Sequence, residues 1–157
     1  MYKVLPKNLT VLHFLLRDIQ ACMDLRYIEK ILPLPMLEIV PTSPDYFVGL
    51  MNLKNKCIPI LDLAIAMGLT RNETYPLNIP ILLCSDGTHQ VGLIVDKMLE
   101  LSPIDEQQIE IHEEFTGNNS PFLGAVTLET GVSLLINIDW IFALQLTHFN
   151  QMAMNHE

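Results

Sequence analysis

The sequence predicts a mainly β protein, assembled as small β-barrels or a sandwich and not as a βαβ sheet. Three observations carry this. Apolar residues fall in short runs rich in Ile, Val and Leu, bounded by Gly, Pro, Asn and Asp. Tight-turn signals join such runs at Leu53-Lys54-Asn55-Lys56, Ser85-Asp86-Gly87-Thr88 and Glu129-Thr130-Gly131. Helix signals are few and short.

In chain order, Leu9 to Leu16 is an apolar run interrupted by Thr10 and His13, a strand. Arg26 to Leu32 reads as a short helical turn stopped by Pro33. Pro33, Pro35, Pro41 and Pro44 mark one long irregular connection. Strands follow over Tyr46–Leu53 and Lys56–Leu61, with Asn55 able to take positive φ at modest cost. Asp62 is placed to cap a turn through Leu63 to Met67, closed by Gly68 at C′. Thr70–Asn78 reads as a loop, then Ile79–Ser85 and Val91–Val95 as strands. A second loop over Glu113–Ser120 precedes strands at Gly124–Leu128 and Val132–Ile138. Asp139 opens a final helix through Trp140, Phe142, Ala143 and Leu146, and the polar stretch from Thr147 to Glu157 frays.

A repeat runs beneath these elements. At an offset of 75 residues, Phe47-Val48-Gly49 stands against Phe122-Leu123-Gly124, Leu53 against Leu128, and the turn at Asn55 against that at Thr130. Ile60-Leu61-Asp62-Leu63 then stands against Leu135-Ile136-Asn137-Ile138. Each copy is a Gly followed by a hairpin whose second strand ends at a polar capping residue, the Gly permitting close backbone approach or a bulge. The pattern predicts two similar β-lobes sharing a core.

Composition narrows the function. The 157 residues are about one domain's worth of chain, 50% hydrophobic and only 17% charged. A formal charge of -9 disfavours phosphate backbones and anionic membrane surfaces. Mean hydropathy is +0.30, yet runs such as Ile79 to Cys84 fall far short of the ~18 residues of a spanning helix. The surplus belongs in a core or on contact surfaces. Cys22, Cys57 and Cys84 lack paired metal spacing and read as buried, reduced thiols, and the N-terminus lacks a secretory pattern, so a cytoplasmic location is expected. Asp105-Glu106 and Glu113-Glu114 read as solvated pairs and His13 as a satisfied core or edge histidine. There is no G-x-S-x-G, P-loop or dinucleotide turn, so neither an enzyme nor a cofactor or metal site is expected.

Residues Pro44 to Leu63, reading PDYFVGLMNLKNKCIPILDL, resemble the signature of the CheW-type chemotaxis coupling domain. Val91-Gly92-Leu93-Ile94-Val95-Asp96-Lys97-Met98 resembles a second block of that family, and Phe122–Val126 through Leu135–Asp139 its closing strand pair. The resemblance covers most of residues 9–146. It implies two small five-stranded, SH3-like β-barrel lobes sharing a hydrophobic core, with short helical turns and a C-terminal helix. It also implies a single domain over 1–146 followed by a polar tail over 147–157. The implied role is that of a non-enzymatic, stand-alone adaptor. Its partners would be the regulatory domain of a CheA-type histidine kinase and the cytoplasmic tip of a methyl-accepting chemoreceptor. It would meet the membrane only through receptors. A pilus-motility pathway and a small-ligand-binding barrel are the alternatives, and nucleic acid is disfavoured by the acid excess.

Partner contact is thereby expected at Ile28, Lys30, Asn52, Lys54 and Asn55, and a structural-motif role at Gly49, Pro59, Asp62, Gly92, Asp96 and Gly124. Departures fall among these residues. The family's hairpin Arg-Gly is Lys54-Asn55, which keeps a charge but loses the guanidinium fork. Lys30 stands where the family usually has Glu, and Ala21-Cys22-Met23-Asp24 keeps only the Asp of its motif. The Asp expected before the last helix is Asn137, or is replaced in role by Asp139.

Overall fold

A computed structural model describes residues 8–115 and 119–144. Among them the strands are β1 (Asn8–Leu16), β2 (Ile19–Asp24), β3 (Ile28–Pro33), β4 (Phe47–Leu53), β5 (Lys56–Asp62) and β6 (Pro80–Ser85). They continue as β7 (Gln90–Ile94), β8 (Lys97–Asp105), β9 (Ile109–Glu110), β10 (Phe122–Leu128) and β11 (Gly131–Ile136). Helix α1 (Leu63–Ala66) follows β5, and residues 138–144 are helical after β11. Leu146 and the tail expected over 147–157 lie outside the described residues.

Two sheets form, one six-stranded in the order β8-β1-β2-β11-β10-β9 and one five-stranded in the order β3-β6-β7-β5-β4. The mainly β, two-lobed expectation holds, but neither sheet is closed, so open sheets replace the five-stranded barrels. One edge of each sheet is finished by a short piece, the two-residue β9 in one and a single bridge from Glu38 to Leu50 alongside β4 in the other. The helical turn expected over Arg26–Leu32 is also corrected. Only Leu25–Tyr27 turns, as a 3₁₀ segment whose N-cap Asp24 accepts from the Arg26 amide, and Ile28–Pro33 is strand β3. Branched Ile28 and Ile31, paired along β6, override the local helix signal.

The repeat is borne out in register. Phe47 faces Leu61 and Gly49 faces Ile60, as Phe122 faces Ile136 and Gly124 faces Leu135, with a bulge at the same place in each hairpin. The Asp62 amide donates to the Tyr46 carbonyl at 2.8 Å, and the Asn137 amide to that of Pro121 at 2.8 Å. Both residues then cap a helix: Asp62 accepts from the Ile65 amide, and Asn137 from the Asp139 amide. Parallel pairing completes each sheet, β7 lying beside β5 and β2 beside β11. The first hairpin of each half is therefore exchanged. β1–β2 joins β8 to β11, while β6–β7 joins β3 to β5.

Exchange buries central strands on both faces, which explains their unbroken apolar runs. On β6, Leu82 and Cys84 enter a core shared by both sheets with Phe14, Met23, Leu93 and Ile136. The alternating Ile81 and Leu83 join Met51, Ile58, Ile60 and Ile94 inside the five-stranded lobe. Leu9, Val11, Cys22, Ile104, Val126 and Leu135 fill the other lobe. His13 lies among polar partners as expected, with Nδ1 2.9 Å from Ser133 Oγ and Nε2 2.7 Å from Ser102 Oγ. Burial lowers its pKa and pushes the Cys22 thiol up to about 11. Cys57 departs from expectation: it is exposed, since the buried run of β5 begins only at Ile58.

The β4–β5 turn has positive φ at both Lys54 (51°) and Asn55 (67°). This is the sign pattern of the hairpin-matched type I′ turn, which prefers Asn-Gly. Lys54 there carries a left-handed cost of about 1 kcal/mol. Installing Asn-Gly through Lys54→Asn with Asn55→Gly is expected to raise stability by about 1 kcal/mol. Urea denaturation checks this, and an unchanged or lower midpoint would show that the lysine turn is not strained.

Candidate functional site

Residues from all five strands of the β3–β7 lobe line one concavity of about 170 Å³. Lys30 of β3, Lys54 of the turn and Lys56 of β5 surround a floor of Leu53, Ile58 and Leu83. β3 and β4 are opposite edges of this sheet, so their meeting at one concavity means that the open sheet curls strongly. Lys30 reaches it through a bulge between Ile28 and Lys30, which breaks alternation and leaves Glu29, Lys30 and Ile31 all exposed. Glu29 is the acid of the lining, and Gln90 Nε2 donates to its carboxylate oxygens at 3.2 and 3.3 Å. A chain of net charge -9 thus gathers three lysines over an apolar floor.

Of the five expected contact residues, Lys30 and Lys54 are brought together here. Ile28 packs instead against the shared core, and Asn52, exposed on β4, lies opposite Cys57. Asn55 is exposed at the turn. Lys56 completes the cluster, and its signal in the sequence is simply that it shares a hairpin tip with Lys54. A second concavity of about 420 Å³ continues past Lys56 and Ile58 to Cys57, Pro59 and His89.

The motif residues lie at close backbone approaches and in a buried ionic cluster. A Cβ on Gly49 would stand 2.7 Å from the Glu38 carbonyl oxygen, and one on Gly124 2.8 Å from that of Glu110. Gly92 leaves room for Ile60 across the β5–β7 pair, and Pro59 is buried opposite Leu50. Asp62, fully buried, does more than cap α1. It accepts from Arg71 Nε at 2.7 Å and from the Tyr75 hydroxyl at 2.8 Å. Arg71 Nη1 donates to Asp96 at 2.7 Å, and Asp96 accepts the Arg17 amide at 2.6 Å. The Asp96 amide in turn donates to the Leu15 carbonyl at 2.9 Å. Arg71 thereby ties the end of β5 to the β7–β8 crossover and, through it, to the β1–β2 turn of the other lobe. Burial favours the neutral Asp96 carboxyl, but hydrogen bonds from Arg71 and Arg17 outweigh it and hold its pKa below the usual value. Burial and the bond to Asp62 raise the Tyr75 phenol. Both Arg71 and Tyr75 lie in the Thr70–Asn78 stretch read as a loop. Their one sequence signal was an arginine between two motif aspartates.

Fold and site together define a β-sheet interaction module. Its concavity presents lysines over apolar side chains, and its buried ionic cluster is engaged in holding the lobes together. Among the described residues no group of three or more His, Cys, Asp or Glu is placed to hold a metal, and no helix is long and apolar enough to cross a membrane. Comparison with known proteins gives the family. The CheW-like domain family matches residues 10–145, and the chain belongs to it. The family is one of chemotaxis scaffold and adaptor proteins, as the resemblance implied. Chemotaxis protein CheW of Thermotoga maritima is 25% identical over 135 residues, covering 86% of this chain and 88% of that protein. A probable chemotaxis protein CheW of Rhizobium etli is 23% identical over 132 residues, covering 83% and 84%. The crystal structure of the scaffolding protein TtCheW from Thermoanaerobacter tengcongensis shares the fold. Its TM-score is 0.73 at 24% identity, covering 82% of this chain and 88% of that one.

Proposed function

We propose that this protein is a cytoplasmic, non-enzymatic adaptor that couples chemoreceptors to a CheA-type histidine kinase. In this reading the helical cytoplasmic tip of a receptor occupies the lysine-rimmed concavity, and the kinase's regulatory domain takes a separate surface. Residues 1–146 act as one unit, an assignment supported by the exchanged hairpins. The observation that carries the receptor assignment is the convergence of Lys30, Lys54 and Lys56 over Leu53, Ile58 and Leu83. The apolar floor would supply affinity, and the cations would select a helix face bearing acids.

Lys30→Glu is expected to weaken binding of the cognate receptor tip at least ~10-fold, about 1.4 kcal/mol, and Lys54→Ala by less. The loss should shrink with added salt, because charges on an exposed rim are screened. Pull-down with the receptor fragment reads this, with the kinase regulatory domain as the arm expected to be unaffected. Unchanged receptor binding in both variants would sink the groove assignment.

A further inference from the structure

A chain of polar side chains crosses the interior of the six-stranded lobe. His13 of β1 is 1% exposed and Ser133 of β11 fully buried. By strand alternation His13 shares its face with Val11, and Ser133 shares its face with Leu135, so both enter the apolar core of that lobe. The imidazole bonds Ser133 through Nδ1 and Ser102 of β8 through Nε2. Cys22 of β2, directly across from His13, is hydrogen-bonded to Ser133 as well. One side chain from each of four consecutive strands, β8, β1, β2 and β11, is therefore in the chain. Its β8 link falls where the backbone ladder is interrupted. Leu12 faces Leu101 and Phe14 faces Met98, so a bulge sets two β8 residues, Leu99 and Glu100, against His13 alone. Among the described strands β8 pairs only with β1, and of its nine residues only Ile104 is buried. The bond from Nε2 to Ser102 thus fastens a loosely held edge strand across the gap in its ladder.

We propose that His13 is a proton-operated clasp, and that its protonation in mild acid releases edge strand β8 from β1 while the rest of the fold persists. A neutral imidazole donates from one nitrogen and accepts at the other, and a hydroxyl can take either part, so two serines satisfy it fully. Imidazolium carries a buried charge, and among the described residues neither nitrogen is bonded to a carboxylate that would neutralise it. Burial accordingly lowers the His13 pKa, and the exposed Glu100 of β8 opposes this only in part. The other ionisable groups around the site give little help. Cys22 is a neutral thiol, and Asp24, opposite Val11, is tied to Arg26 at 2.7 Å. Lys97 and Asp105 stand towards the two ends of β8, opposite Leu15 and Asn8, and Glu110 of β9 lies 3.4 Å from His112. Strands β10 and β11 bring no ionisable side chain. Opening β8 returns His13 to water and to its ordinary value of 6.5. The open form then binds the proton more readily, so the clasp holds above about pH 6.5 and loosens as pH falls towards the lowered folded value. The lysine concavity belongs to the other sheet, so this inference stands apart from the receptor reading.

The test is hydrogen–deuterium exchange of the full chain between about pH 7 and about pH 5, above the range of ordinary carboxylates. Exchange is read as protection factors, which remove the intrinsic pH dependence of the amides. Protection of the amides shared by β1 and β8 should fall below about pH 6.5 by up to about tenfold per pH unit, the limit for one coupled proton. Amides of β6 and β7, in the other lobe, should hold theirs. His13→Gln keeps a neutral donor and acceptor and leaves every other histidine in place, so it should abolish the fall. Glu100→Gln, at an exposed position, withdraws the charge that favours imidazolium and should move the onset to lower pH. The proposal is overturned by wild-type protection that ignores pH, by an equal fall in His13→Gln, or by a fall shared equally with β6 and β7, which is global unfolding. Should His13→Gln fail to fold, Glu100→Gln decides alone, and an unmoved onset there overturns the proposal. Receptor pull-down with the lysine variants is read at neutral pH, so neither result decides the other.

Discussion

Arg71→Met is expected to destabilise the protein by about 3–5 kcal/mol, because it leaves buried carboxylates without their cation. Arg71 is 5% exposed and Asp62 fully buried, so water cannot replace the lost guanidinium at Asp62. Asp96, 19% exposed, loses its partner but keeps the Arg17 amide. Methionine matches much of the arginine's length, so the loss reports the charge more than the volume. The double variant Asp62→Asn with Arg71→Met should recover part of the loss, since the buried anion goes with its partner. Acid supplies a second reading. In the wild type the Asp96 pKa is depressed in the fold, so its stabilising contribution is complete above about pH 4 and is lost as pH falls through the lowered folded value. In Arg71→Met the Asp96 carboxylate loses the bonds that hold its pKa down, so the gap from wild type should narrow as pH drops. Urea midpoints at neutral and acid pH decide the matter. A variant equal to wild type at neutral pH would mean that the cluster holds nothing together.

Gly49→Ala and Gly124→Ala are each expected to cost about 1–3 kcal/mol, and by similar amounts. Each added methyl would press on a backbone carbonyl, Glu38 in one half and Glu110 in the other, and a strand-edge carbonyl cannot swing aside as a side chain can. Gly87→Ala is the contrast. Its site is open, but φ is +94°, so only backbone strain of about 1 kcal/mol is at stake. Thermal unfolding of the three variants separates close approach from conformational freedom. A neutral Gly124→Ala beside a costly Gly49→Ala would show that the two halves have drifted apart in packing.

The six hairpin-forming runs with strong apolar character were legible because their three turns are local chemistry: Asn55, Gly87 and Gly131 each take a positive φ. The repeat was legible too, since the bulge glycine and the capping Asp62 or Asn137 recur with it. Strands β2, β3 and β8 were not. Ile19–Asp24, Ile28–Pro33 and Lys97–Asp105 mix polar and apolar residues, and their strand character comes from partners far along the chain. Lys30 and Lys54 were singled out by family resemblance, and only curling of the sheet makes them neighbours. Ile28, expected beside them, instead packs partly against the shared core, because the bulge that exposes Lys30 turns its neighbour that way. Arg71 was missed for a related reason: its place between two motif aspartates means little until Asp62 and Asp96 have been brought within reach of one side chain.

The exchanged hairpins have a consequence for ancestry and for breakage. Each half of the chain places its first hairpin in the sheet otherwise built by the other half, so neither half holds a complete sheet of its own. This is the connectivity of a hairpin-swapped homodimer whose two polypeptides have been joined end to end. A single gene of half the length, doubled, would suffice to write it. A cut in the Thr70–Asn78 connection would leave two fragments, each holding the missing strands of its counterpart.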